Sequence, residues 1–186
     1  PKTYIMTKAL LTLFLALTFA SANSQSNWVT KKVGGDNVYV SFPNEPNHDE
    51  KKQMQSEIYV STVGNCMFTV LVKNNVIPNA IIPDYEKFKS QPATEQNKLA
   101  NEFLDKGVKQ FIGNSSVISP ATSIKVGKFL GKQITYANSS SGDTNQLYTK
   151  FILVGKNLYI IQCTYKKVSD PCDTSKEKFL SSISIQ

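Results

Sequence analysis

Two runs that are apolar on both faces, Phe151-Ile152-Leu153-Val154 and Leu158-Tyr159-Ile160-Ile161, flank Gly155-Lys156-Asn157 and constrain the fold more than any other feature. A strand points alternate side chains to opposite faces, so a strand that is apolar at every position needs cover above and below. The Gly-Lys-Asn segment supplies a hairpin turn. Residues 146–154 and 158–165 are therefore expected as central strands of a covered sheet. A second hairpin precedes them. Residues 53–63 alternate Met54, Ser56, Ile58 and Val60 against Gln55, Glu57, Tyr59 and Ser61. Residues 66–73 alternate Cys66, Phe68, Val70 and Val72 against Met67, Thr69 and Leu71. Gly64-Asn65 between them tolerates the positive φ of a tight turn.

The rest of the chain adds strands and helices to these hairpins. Residues 38–42 have a period of two and end at Pro43; residues 115–126 and 129–138 read as two more strands, the latter alternating Leu130, Lys132, Ile134 and Tyr136. Residues 44–52 read as loop and 139–145 as a polar turn cluster, while a short helix is expected around 84–90. Thr94 is expected to cap the next helix, with Glu95 in its first turn; Leu99, Phe103, Leu104, Val108, Phe111 and Ile112 share one side, and Gly113-Asn114 stops it. Asp170-Pro171 is expected to open a last helix whose buried edge is Phe179, Leu180 and Ile183. The expected class is α+β: a central antiparallel sheet of about six or seven strands with helices on both faces, an α/β/α sandwich.

At 186 residues the chain suits one domain. Residues 6–22 read as a secretory signal peptide, with Lys8 as the positive n-region, residues 9–19 as the apolar run and Ala20-Ser21-Ala22 as the processing site. The apolar run is about half of the roughly 20 residues needed to cross a bilayer, so no transmembrane anchor is expected. Residues 1–5 are read as upstream sequence, 23–35 as a polar lead-in anchored by Trp28, and 36–186 as the domain. The expected location is periplasmic or extracellular.

All 21 basic residues are lysine, against 14 acids, for a net charge of +7. Loss of residues 1–22 removes Lys2 and Lys8 and no acid, lowering +7 by two to +5. Arginine makes the bidentate contacts that read bases and phosphates, so sequence-specific nucleic-acid binding is not expected. His48 is the one histidine, which excludes a two-histidine metal site. Three cysteines leave at least one unpaired within a monomer. Cys163 and Cys172 are the candidate disulfide, one closing a strand and the other opening the next helix. Cys66 would then be a buried thiol.

The sequence has no G-x-S-x-G elbow, no phosphate-binding glycine loop and no H-E-x-x-H, and a Ser-His-Asp triad would have to recruit His48 from a polar loop. Glu45, His48, Asp49 and Glu50 offer oxygens and one imidazole for a weak cation, but read better as an acidic loop. Glu95, Glu102 and Asp105 read as the solvated face of their helix. Asn114 and Asn138 head glycosylation sequons, relevant only in a cell that glycosylates. No cofactor is expected. Tyr59, Tyr136, Tyr148, Tyr159 and Tyr165 form the candidate ligand or partner surface, since each joins apolar area to a hydroxyl, although packing under the helices explains them as well.

The order of elements resembles the PsbP-like fold. The resemblance rests on the opening strand that closes in Val40-Ser41-Phe42-Pro43-Asn44-Glu45-Pro46, the two hairpins, and the late pair Leu147-Tyr148 and Gly155-Lys156-Asn157-Leu158-Tyr159. The ending Lys178-Phe179-Leu180-Ser181-Ser182-Ile183 is similar to that of small exported bacterial members. The resemblance spans most of residues 28–185. It implies a sheet with helices on both faces and a binding or assembly role, without a catalytic residue set.

Three functions are compatible with these features. The first is an exported, non-catalytic protein, monomeric, that binds a protein or cell-envelope partner. The second is a carrier of a small apolar or amphipathic ligand between the sheet and the helix at 95–112. The third is a hydrolase. An exposed apolar patch favours the first, an apolar cavity the second, and converging buried carboxylates the third.

Overall fold

The computed structural model of the chain describes residues 28–140, 143–166 and 172–186. The signal peptide and the opening of the last helix at Asp170-Pro171 lie outside the described residues. In chain order the elements are β1 (Val29–Val33), β2 (Val38–Phe42), β3 (Asn47–Lys51), a 3₁₀ turn (Lys52–Met54), β4 (Ser56–Val63) and β5 (Cys66–Lys73). Then come α1 (Tyr85–Ser90), α2 (Ala93–Ile112), β6 (Ser116–Val126), β7 (Phe129–Ser140), β8 (Asp143–Val154), β9 (Asn157–Lys166), α3 (Cys172–Ser181) and β10 (Ser184–Ile185).

Seven strands form one antiparallel sheet in the order β3-β4-β5-β9-β8-β7-β6, and the other three form a smaller sheet in the order β1-β2-β10. The apolar runs that flank Gly155-Lys156-Asn157 are β8 and β9, with Phe151 opposite Ile160 and Leu153 opposite Leu158. The earlier hairpin is β4-β5, closed where Val63 faces Cys66. Because strand side chains alternate in direction, these strands supply two apolar clusters. One holds Phe68, Val70, Val72, Ile152, Tyr159 and Ile161 together with β2 residues Val38, Val40 and Phe42 and α3 residue Phe179. The other holds Phe151, Leu153, Leu158 and Ile160 together with α2 residues Ala100, Leu104 and Val108. Burying each large side chain stabilises the fold by about 1.5–3 kcal/mol relative to exposure.

Several segments depart from the sequence reading. The lead-in at 23–35 carries β1, which pairs along β2 from Val29 opposite Phe42 to Val33 opposite Val38. The loop at 44–52 carries β3, an edge strand exposed at every position. With both faces in water it has no apolar alternation to reveal it, and its charges suit a sheet edge. The polar cluster at 139–145 is mostly strand, since the β7-β8 ladder runs on to Ser140 opposite Asp143. Thr94 is not a cap: α2 starts at Ala93 with Pro92 at the N-cap position and no side-chain cap. Gly113 ends α2 at φ +54°, as the sequence suggests.

The helices are fixed by specific contacts. Asp84 caps α1 by accepting from the Glu86 and Lys87 amides at 2.9 and 3.1 Å. Asp105 of α2 pairs with Lys132 of β7 at 2.8 Å, and Lys132 is only 8% exposed. Phe179 of α3 lies 5.5 Å from Phe42 and 5.2 Å from Phe68, ring centre to ring centre. Lys150 of β8 donates to the Leu180 carbonyl at 2.7 Å, a cation on the last turn of α3.

The candidate disulfide Cys163–Cys172 does not form. Cys66 bonds to Cys172 across a Cα–Cα distance of 5.9 Å, and Cys163 is a buried free thiol. Packing explains the exchange of partner. Cys163 sits within the ladder opposite Phe68, whereas Cys66 is the first residue of β5. α3 packs on β5 as well as β9, which puts its first residue against Cys66.

Candidate functional site

The seven-stranded sheet is not covered evenly by α2. The helix packs on β7 and β8, leaving the β9 and β5 side of the same face to the segment that follows β5. Between them lies a cleft of about 520 Å³. Its floor is Leu158 and Ile160 of β9, which face Lys73 and Leu71 of β5. Phe103, Gly107 and Phe111 of α2 form one wall, and Val76, Ala80 and Ile81 form the other.

The sequence builds both walls. Phe103, Gly107 and Phe111 are spaced four apart and so form one stripe of the helix. Gly107 leaves a gap in the stripe, and a Cβ placed there would meet nothing within 4 Å. The opposite wall is organised by Asn79. Its Oδ1 accepts from the Ile81 and Ile82 amides at 2.8 and 3.1 Å, and its Nδ2 donates to the Val76 carbonyl at 3.0 Å. The base of this segment is tied to the β8-β9 turn: the Val76 amide donates to the Lys156 carbonyl at 2.9 Å, and the Asn75 amide to Asn157 Oδ1 at 2.9 Å.

The polar lining is Lys73, Lys106, Gln110 and Asn79, so the cleft carries positive charge and no carboxylate. Neither lysine makes an ion pair with a described residue. No thiol, imidazole or hydroxyl lines the cleft either. This arrangement can hold an apolar body and neutralise an anion.

The candidate tyrosines do not converge on it. Tyr136 belongs to the cluster under α2, whereas Tyr59, Tyr159 and Tyr165 belong to the cluster under α3, with Tyr148 packed against it. Four of the five are buried, which corrects their reading as one ligand or partner surface. Their hydroxyls serve the interior. Tyr136 accepts from Gln162 at 2.8 Å. Tyr159 donates to Asp36 at 2.9 Å, and Tyr59 donates to Glu57 at 2.8 Å. Tyr165 donates to Asp173 at 2.9 Å and stacks on Tyr148, with ring centres 5.6 Å apart. Burial pushes the Tyr59 phenol up to about 12, and the Glu57 carboxylate adds to the rise. Burial likewise raises Tyr136, Tyr159 and Tyr165.

Beside the tyrosine pair, burial alone would lower the Lys176 ammonium. The hydrogen bond to Asp173, at 2.8 Å, carries it above its ordinary value instead. His48 is on β3, stacked 4.3 Å from Tyr59, with Nε2 3.4 Å from Glu57. Among the described residues no three His, Cys, Asp or Glu side chains are grouped to hold a metal ion. No helix among them is long and apolar enough to cross a membrane.

The sequence reading of a ligand between the sheet and the helix at 95–112 names none of the residues that line the cleft, because its walls come from separate segments. One signal was present: a glycine between two aromatics on the apolar side of an otherwise regular helix.

No protein-family model matches the chain, and no curated protein matches it. Among solved structures, it is similar to PA94 of Pseudomonas aeruginosa, a protein of unknown function, at 11% identity and a TM-score of 0.42 over 83% of this chain and 94% of that one. A protein of Bacteroides thetaiotaomicron VPI-5482 matches at 11% identity and a TM-score of 0.48 over 84% of this chain and 48% of that one, so the chain spans about half of its length. LpqN of Mycobacterium tuberculosis, involved in cell envelope biogenesis, matches at 10% identity and a TM-score of 0.37 over 89% of this chain and 87% of that one. None of the three is named as PsbP-like.

Proposed function

We propose that this chain is a non-catalytic binding protein whose ligand is a small amphipathic molecule held between α2 and the sheet. The observation that carries the reading is the 520 Å³ cleft floored by Leu158 and Ile160. Ligand sites commonly occupy about 300–1,000 Å³ and pair apolar walls with a few polar groups. We also read the protein as exported through the leader at 6–22. A PsbP-like layering is part of the same proposal, with α2 and α3 on opposite sides of the sheet. It is supported by the separate apolar clusters to which the two helices belong.

The test is titration with a neutral apolar fluorophore such as N-phenylnaphthylamine, in the wild type and in Gly107→Leu. The leucine fills the cleft and replaces a mid-helix glycine, which stabilises a helix by about 0.8–1 kcal/mol. Loss of probe binding with a raised melting temperature is expected. Unchanged probe binding would overturn the cleft as the site.

A second reading, a protein or envelope partner, is supported by Val117 and Ile118, which are 51% and 50% exposed on the outermost strand β6. Exposed apolar side chains on a sheet edge are a ready contact surface. Native mass spectrometry selects this reading if a co-migrating protein is lost in the Val117→Lys, Ile118→Lys double variant.

A further inference from the structure

We infer that the ligand of the cleft is a single-chain amphiphile with an anionic head group, of the fatty-acid class, whose charge is met by Lys73 and Lys106. The inference rests on the reading of the cleft as a binding site and adds the chemistry of what it binds.

Charge complementarity carries it. Every charged side chain lining the cleft is cationic. Of the other lysines in and around α2, Lys109 has no acid partner among the described residues, while Lys98 lies 3.7 Å from Glu95 and Lys132 lies 2.8 Å from Asp105. Lys73 and Lys106 have no such partner among the described residues. Lys106 immediately precedes the gap at Gly107, and Lys73 ends β5 opposite the floor residue Leu158. An ammonium is a hydrated point charge on a flexible stem, suited to a compact anion at a solvent-facing mouth. A cationic head would be repelled there, and a neutral one would leave both charges uncompensated. The apolar part of the ligand lies against Leu158, Ile160 and Phe103.

The probes are octanoate, decanoate, decanol and decyltrimethylammonium, titrated calorimetrically into the full protein and into the Lys73→Gln, Lys106→Gln double variant. Both lysines are exposed, so the variant should fold, and retained decanol binding verifies it. Decanoate should bind more tightly than octanoate by about fourfold per methylene, the effect of burying each CH₂. The double variant should bind decanoate about tenfold more weakly, with decanol unchanged, and salt should weaken decanoate alone. Equal binding of decanoate and decyltrimethylammonium, or undiminished decanoate binding in the double variant, would overturn the anionic assignment while leaving the cleft in place. Absence of binding by all four probes would remove the cleft reading itself. Sedimentation with anionic phospholipid vesicles that disappears in the double variant would overturn the free ligand in favour of a bilayer surface.

Discussion

Cys66 and Cys172, 106 positions apart in sequence, are joined by a disulfide that fastens the first residue of α3 to the first residue of β5. A cross-link over about 100 residues restricts the unfolded chain strongly, and losing a native disulfide costs about 2–5 kcal/mol. Cys172→Ser should lower the unfolding free energy from denaturant titration by that amount while the native far-ultraviolet spectrum persists. Peptide mapping without reductant checks the pairing directly, since the peptide containing Cys172 should be linked to that containing Cys66.

The remaining thiol should be inert. Cys163 has no exposed surface, and burial pushes its thiol up to about 12, with Lys176 opposing the rise only in part. Alkylation needs the thiolate. At pH 8 the native protein should therefore incorporate no iodoacetamide over hours, and the denatured but unreduced protein one equivalent. Native labelling at the rate of a free cysteine would show that this face of β9 opens.

Much of the fold was legible because particular residues announce it. The alternation along β4 and β5 and the apolar β8-β9 pair set the centre of the sheet, and Gly113 marks the end of α2. What failed was non-local. β3 is exposed on both faces and carries no pattern, and the partner of Cys172 depends on which strand α3 crosses. The tyrosines illustrate the same limit. Tyr148 and Tyr165 lie in adjacent strands and meet, while Tyr136, in the neighbouring β7, points to the other cluster; that separation follows only once the register is known. The cleft was the least legible feature, since it needs α2, β9 and the segment at 76–81 in place together.

The buried phenols predict loss of stability in alkali. A tyrosine in an unfolded chain titrates near 10, and Tyr59, Tyr136, Tyr159 and Tyr165 are all raised above that in the fold. Above pH 10 the unfolded chain therefore releases protons that the native state keeps. The contribution of these groups is complete below about pH 10 and is lost as pH rises through the native values, about 12 for Tyr59. Phenolate absorbance should rise in one steep step together with unfolding. A gradual rise in which each tyrosine titrates near 10 without unfolding would contradict the burial of this set.

Gly34 should not tolerate a side chain. Its φ is +68°, and a Cβ there would stand 2.8 Å from the hydroxyl of Tyr159. That hydroxyl already donates to Asp36, which also accepts from Asn157 at 2.8 Å, so it has little freedom to move aside. Gly34→Ala should cost at least about 1–2 kcal/mol from backbone strain and displacement of the tyrosine. Tyr159→Phe should cost about 1–3 kcal/mol by removing a donor from a buried carboxylate contact. In the double variant the 2.8 Å clash with the hydroxyl is gone, although the 3.0 Å approach to Val72 and the positive φ remain, so the combined loss should be smaller than the sum of the two separate losses in a denaturant-derived cycle.

Asn79 separates the stability of the cleft wall from that of the sheet. Its side chain accepts from the amides of Ile81 and Ile82 and donates to the carbonyl of Val76, which together hold 76–82 in the turn facing Phe103 and Phe111. Asn79→Ala removes all three bonds at once. Each is worth about 0.5–1.5 kcal/mol net, and water replaces part of the loss at a half-exposed site, so global stability should fall by about 1–2 kcal/mol. Ile77 and Ile82 of this segment pack into the cluster around Phe151, but the β8 and β9 amides are held by their own ladder and should keep their hydrogen-exchange protection. Protection should fall at the amides of Ile81 and Ile82, and decanol affinity should drop because the apolar wall is no longer preorganised. Decanol binding as tight as in the wild type, with those two amides exchanging freely, would mean that the wall is not part of the site.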